Sequence, residues 1–343
     1  MKLRERFIEL LPKQAIRVFA SPYVAGDSMD AALAKAGELA GRGVASTVDV
    51  LGEDVAGTRD IETYAGLYIR LAEAIAANTR LGRLSEGIRP SISLKPSMFV
   101  MAPKDDDGII RDPASVKWDE CEASIRKVLD VSSPLNLRVT IDMENHQWTE
   151  ATLAMHKRLF ARYGALVGTV LQSRLNRTSQ DIEELPDGCR IRLCTGIYDE
   201  PASVATRNVH EMKSRMVPMA RRLLEKNIFL EFATHDLHLI QRFVREVIVP
   251  MGIGPDKFET QTLMGVPRQR LIGQLTSGDY FAGFNGSSEQ LRRGIVHRLY
   301  VPFAEHWDQA IAYSRRRLRH SPNLLWTGFV NAPRVLYYSI FGK

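Results

Sequence analysis

The chain has 343 residues, 45% of them hydrophobic and 25% charged, with 24 Gly and 16 Pro. This is globular usage and excludes disordered, collagen-like and coiled-coil chains. Its 46 basic and 40 acidic residues leave a formal charge of +6, spread too evenly to mark a nucleic-acid surface.

The N-terminal MKLRERFIELLPKQ carries charges through its apolar run and so lacks a signal-peptide core. No uncharged stretch reaches the ~18 residues that a bilayer span needs. Cys121, Cys189 and Cys194 are an odd number of cysteines in a long chain, which argues for a reducing, cytoplasmic setting rather than a disulfide framework. Residues 1–43 read as an N-terminal helical segment and 44–343 as a barrel domain. In the first segment Asp27 and Ser28 are N-cap types for MDAALAKAGELAGRG, which stops at a glycine pair. Short β-branched or apolar runs follow at 45–51, 91–95, 137–142, 166–172, 189–194, 227–234, 257–263 and 295–301. Helical patterns fill most of the intervals, most clearly at 58–81, 149–164, 210–227 and 236–249, with a short one near 179–185. TSGDYFAGFNGSS (276–288) reads as a mobile loop or lid before the eighth strand.

Eight strands alternating with helices over roughly 300 residues match an α/β fold of the (βα)8 TIM-barrel type. A doubly wound open sheet would normally advertise a glycine-rich first turn, and the chain has neither GxGxxG nor GxxxxGK[ST].

In such a barrel the chemistry gathers where strands end. The predicted ends carry Lys95, Asp142, Gln172, Arg192 with Thr195 and Gly196, Thr234 with His235 and Asp236, Gln261 with Leu263, and Tyr300. Nearly every strand therefore delivers a polar side chain to one rim. In the helical stretch 305–320, Trp307, Ala310, Ile311, Ser314 and Leu318 form one stripe. At ~100° per residue, Tyr313, Arg316, Arg317 and His320 share the opposite face. That face reads either as a solvated arginine run or as a clamp for a carboxylate or phosphate. His235 and His238 have HxxH spacing without further ligands nearby in sequence, so zinc is set aside and no metal is assigned. Cys194 reads as a small core residue.

Together these residues resemble the proline dehydrogenase family of FAD-dependent proline oxidases. The resemblance rests on ISLKPS (92–97), VTIDMENHQWTEATL (139–153), GTVLQSRLNRT (168–178), RIRLCTGIYDEPASVA (190–205), FATHD (232–236), FETQTLMGV (258–266), LYVPF (299–303) and AYSRRRL (312–318), in the family's order. It implies a distorted (βα)8 barrel with extra N-terminal helices and a last helix over the barrel mouth. It also implies that Gln172, Arg192, Gly196, Thr234, His235 and Gln261 contact FAD, with Arg192 donating toward the flavin N5. By the same resemblance Lys95, Arg316 and Arg317 hold the proline carboxylate, Asp142 orients Arg316, and Leu193, Tyr198, Leu263, Tyr300 and Tyr313 wall the ring.

The implied reaction moves a hydride from Cα or Cδ of L-proline to FAD, gives 1-pyrroline-5-carboxylate, and passes electrons to a quinone. The flavin does the redox chemistry while the protein orients it. Family members usually have lysine at the position of Thr195, alanine at Ile197 and glutamate at His320. Two further readings stay open: a relative acting on a modified proline or other cyclic amine, and a flavin-binding homologue with little activity. The apolar tail 324–341 reads either as a helix packed on the barrel or as a segment on a membrane surface near the quinone.

Overall fold

Each of the eight apolar runs forms a strand in the structure, a computed structural model that describes residues 22–52, 55–105, 108–305 and 310–311. The strands are β1 (Ala45–Val50), β2 (Ser91–Leu94), β3 (Val139–Ile141), β4 (Val167–Gln172), β5 (Arg190–Cys194), β6 (Phe229–Ala233), β7 (Phe258–Leu263) and β8 (His297–Phe303). All neighbours pair in parallel, and β8 closes on β1 through pairs such as Thr47 with Tyr300. The barrel expected from the sequence is therefore the fold. β8 runs two residues past its expected end, through Pro302, whose carbonyl accepts from the Ala25 N–H at 2.8 Å.

The helices are α1 (Met29–Ala40), α2 (Thr58–Ala77), α3 (Trp118–Ser132), α4 (His146–Tyr163), α5 (Thr178–Glu183), α6 (Val209–Glu225), α7 (Leu237–Phe243), α8 (Gln269–Ser277), α9 (Asp279–Ala282) and α10 (Glu289–Arg292). Ser28 caps α1, its side chain accepting from the Ala31 N–H, as its position before the helical run suggests. α1 packs against β1 and β8 and buries Ala32 and Ala36 completely. It thus takes the seat that a helix following β8 fills in a regular barrel. The described part of the N-terminal segment belongs to the same packed body as the strands.

Strand alternation divides the side chains. Outward residues face the helices: Ile92, Leu94, Val139 and Ile141 join Leu67, Tyr68 and Leu71 in one apolar cluster. Ile191, Leu193, Leu230 and Phe232 join Met216, Leu223 and Phe243 in another. At roughly 1.5–3 kcal/mol per fully buried large apolar side chain, this layer between strands and helices supplies most of the driving force for folding.

The segment 276–288 differs from its expected form. Its glycines and serines bound short helical turns, α9 and, just beyond, α10, and Phe281 and Leu291 are buried in the second cluster. Two large apolar anchors outweigh the turn signals, so this segment is not a free lid.

Candidate active site

The inward-facing strand positions are where this barrel departs from an ordinary one. Bulky aliphatic residues usually fill such an interior. Here β5 turns Arg190 and Arg192 inward, β6 Glu231, β7 Glu259 and Gln261, and β8 Arg298, all nearly inaccessible to solvent. At the floor, Arg298 binds both oxygens of Glu259 at 2.6 and 3.1 Å and donates to the carbonyls of Ser46 and Gly87, each at 2.9 Å. One level up, Arg190 pairs with Glu231 and donates to Thr140 Oγ1 at 3.0 Å. Buried charges persist only when paired and hydrogen-bonded, and every carboxylate in this column has a guanidinium.

At the top of the column, Arg192 donates from Nη1 to Asp142 Oδ1 at 2.6 Å and to Ser93 Oγ at 3.3 Å, and from Nε to Gln261 Oε1 at 2.8 Å. Ser93 Oγ also donates to Asp142 Oδ1 at 2.7 Å, and Tyr300 donates to Asp142 Oδ2 at 2.7 Å. Asp142 thus accepts from three donors. The Tyr300 ring lies 5.4 Å from the Arg192 guanidinium, within cation–π range. Burial opposes the charge on Arg192, but Asp142 and Glu231 outweigh it and hold the side chain protonated. Burial and the neighbouring Asp142 push the Tyr300 hydroxyl up, so it stays a neutral donor.

Above this network lies a cavity of about 290 Å³ at the C-terminal ends of the strands, the face where barrel enzymes carry their sites. Of the candidates, Lys95, Asp142, Gln172, Arg192, Gly196, Tyr198, Thr234, His235, Gln261, Leu263 and Tyr300 line it. Strand ends bring these residues together although they are spread over some 200 positions of the chain. A cleft of about 380 Å³ between α4 and α5 lies outside the barrel, and its charged groups pair with each other, as Arg177 does with Asp181 at 3.0 Å. None of the strand-end candidates lines it.

One candidate sits elsewhere than expected. Leu193 does not wall the cavity: alternation along β5 turns it outward into the helix-facing cluster, where it is fully buried. Cys194, expected in the core, is half-buried: it packs against the second cluster, as expected, and also lines the cavity. Asp142 takes its partners from Arg192, Ser93 and Tyr300, while its expected partner Arg316 lies outside the described residues. So do Tyr313, Arg317 and His320. Of the stretch 305–320 only residues 305, 310 and 311 are described, and Ala310 and Ile311 are buried as their stripe predicts. Ile197 lines the cavity and is 40% exposed.

Asp49 was not legible as a site residue. It lies on β1, completely buried, and both its oxygens accept from Lys95 Nζ at 2.9 Å. Burial, opposed by Lys95, raises its carboxyl to about 6. An acid at an inward position of the run ASTVDVL was the available signal.

Several features fit a flat, acceptor-rich cofactor. Arg192 Nη2 and Gln172 Oε1 are buried without a hydrogen-bond partner among the described residues, a state that usually marks a missing ligand or water. Gly196 has a φ of +89°, and a Cβ there would collide with Gln172 and the Arg174 side chain. Glycine is therefore required here, by its left-handed backbone and by the packing of Gln172 and Arg174 against it.

The sequence profile of the proline dehydrogenase family matches residues 32–192. The proline dehydrogenase of Deinococcus radiodurans is 30% identical over 317 residues, 92% of this chain and 90% of that protein. Proline dehydrogenase 1 of Bacillus subtilis is 25% identical over 330 residues, 93% of this chain and 95% of that protein. Among solved structures, proline utilization A from Bdellovibrio bacteriovorus, inactivated by N-propargylglycine, superimposes with a TM-score of 0.73 at 21% identity. That match covers 88% of this chain and 32% of the solved one, so this chain spans about a third of its length.

Proposed function

The chain belongs to the proline dehydrogenase family, and from that premise we propose that it oxidises L-proline to 1-pyrroline-5-carboxylate with FAD as cofactor and a quinone as electron acceptor. The observation that carries this reading is the unshared Nη2 end of Arg192 at the cavity, beside a left-handed glycine. Bound FAD would supply the acceptor for the hydride that leaves proline Cδ, the carbon that bears the C=N bond in the product.

Arg192 offers that cofactor two N–H donors in a fixed fork, and Gln172, Gly196, Thr234, His235 and Gln261 complete its contacts. Lys95, with Arg316 and Arg317 from the stretch beyond the described residues, fixes the substrate carboxylate by charge-assisted hydrogen bonds. Tyr198, Leu263, Tyr300 and Tyr313 exclude water around the ring. Tyr300 is held upright by Asp142 and cannot rotate without breaking a 2.7 Å bond. The amine loses its proton before the hydride departs, and the carboxylate grip leaves that nitrogen facing the cavity. Among the described residues no helix is long and apolar enough to cross a membrane. The protein is proposed to be cytoplasmic, with the tail 324–341, outside those residues, either packed on the barrel or touching the inner membrane face near the quinone.

One observation favours a second reading. Ile197 presents a branched side chain to the cavity where the family resemblance has alanine, and Thr195 lacks the resemblance's lysine charge. A cyclic amine of different shape from proline would fit such a wall. Steady-state turnover with a soluble quinone, measured across L-proline, its hydroxylated and N-methylated forms, and six-membered analogues, decides between the two. Highest kcat/KM on L-proline supports the first reading. A preference of more than ~10-fold for another ring, about 1.4 kcal/mol of transition-state binding, supports the second.

A further inference from the structure

Glu231 lies one level below the cavity, on β6, and does not line it. Its Oε1 is taken by Arg190, and its Oε2 accepts from Gln261 Nε2 at 2.8 Å and lies 3.4 Å from Arg192 Nε. Gln261 Nε2 donates at the same time to Glu259 Oε1 at 2.7 Å. An amide can sit either way round, but two carboxylates facing its nitrogen permit one orientation here. That orientation presents Oε1 to Arg192 Nε. With Nε held by Gln261 and Nη1 held by Asp142, the guanidinium plane is fixed, and only Nη2 is left without a hydrogen-bond partner among the described residues.

The charges close as well. Arg190, Arg192 and Arg298 stand against Asp142, Glu231 and Glu259, three of each sign in direct contact. Arg138 reaches Glu259 from the rim only at 4.0 Å. Without Glu231 the column beneath the cavity has an uncompensated positive charge in a medium that screens it poorly.

We propose that Glu231 is a positioning residue for the flavin-dependent reaction: through Gln261 it aims Arg192 at the cofactor, and its charge limits how strongly that arginine draws electrons onto the flavin. The proposal rests on the functional reading above. Burial alone would raise the Glu231 carboxyl, but Arg190, Arg192 and Arg298 hold it down at about 2, so the negative charge is present at every working pH.

The test is the two-electron midpoint potential of FAD bound to the purified protein, read by spectroelectrochemical titration, for wild type, E231Q and a control. E231Q keeps the volume and removes the charge. It is expected to shift the equilibrium toward reduced flavin by about 10-fold, which is ~30 mV upward for a two-electron couple. The control is E122Q, since Glu122 is also a buried acid paired to two arginines, Arg126 and Arg158, but on the outer helices. It should lower stability and leave the potential where it was. If E231Q does not fold, Q261M replaces it. That variant cuts the link, lets Arg192 close on Glu231, and should lower the potential. A potential unchanged in E231Q (or in Q261M where that variant stands in), or moved equally by E122Q, overturns the proposal. A wild type that binds no flavin overturns both this and the functional reading. A wild type bleached by L-proline, with E231Q at the same potential, overturns this inference alone.

Discussion

Asp142 shows at the residue scale how tightly the site is wired. Its carboxylate is the shared acceptor of Arg192, Ser93 and Tyr300, so removing it leaves a buried guanidinium and a buried hydroxyl without their partner. Breaking a buried pair from one side typically costs ~3–5 kcal/mol. Asp142→Ala should therefore lower the urea-unfolding free energy by about that amount, whereas Asp142→Asn, which keeps the shape and one acceptor, should lower it less. Equal losses in the two variants would mean that the charge alone, and not the shape or the remaining acceptor, carries the stabilisation. Two other carboxylates give opposite pH signatures. Glu231 sits at about 2 in the folded protein against an ordinary 4.5, so its contribution to stability is full above 4.5 and falls away as pH drops toward 2. Asp49 is raised from 3.8 to about 6, so its contribution is full below 3.8 and is lost as pH rises through 6. Urea titrations at a series of pH values should show E231Q with a flatter acid limb than wild type, and Asp49→Asn with a smaller loss between pH 4 and 6. A wild-type acid limb retained in E231Q contradicts the Glu231 assignment.

At the scale of elements, alternation explains both what the sequence made legible and what it hid. The eight strands announced themselves because their outward residues are β-branched or large and apolar, Ile191 and Leu193 on β5 among them. Leu193 was placed in the cavity from a motif, although its neighbours Arg192 and Cys194 already claimed the inward parity of that strand. Ser93, Glu231 and Glu259 went unread because their roles depend on partners far away in sequence, as in the 99-residue separation between Arg192 and Ser93. Nothing local marks such a charge as satisfied until the barrel closes. Asp49, mid-strand in β1, was hidden for the same reason. The segment 276–288 went wrong in the other direction: glycine and serine signalled a loop, while Phe281 between them decided the packing. Phe281→Ala should cost ~3–5 kcal/mol, the usual loss for a buried phenylalanine, read as a fall in thermal midpoint. A loss below ~1 kcal/mol would restore the mobile-loop reading.

At the scale of the molecule, the helices and the strand exteriors supply apolar burial, and the barrel interior is given over to a column of paired charges that ends in Arg192. α1 takes the seat beside β1 and β8. The column meets a cavity at the face reached by Lys95, Arg192 and Tyr300. On the proposed function, this cavity holds FAD and L-proline reduces it there. Anaerobic addition of L-proline to the FAD-loaded protein, followed in the flavin's visible band, tests it most directly. The wild type should bleach. Arg192→Lys, which loses the fork but keeps a charge, should bleach ~10- to 100-fold more slowly, consistent with ~1.5–3 kcal/mol for a charge-assisted hydrogen bond. A flavin-loaded wild type that L-proline leaves oxidised, or an Arg192→Lys protein that bleaches at the wild-type rate, would contradict it.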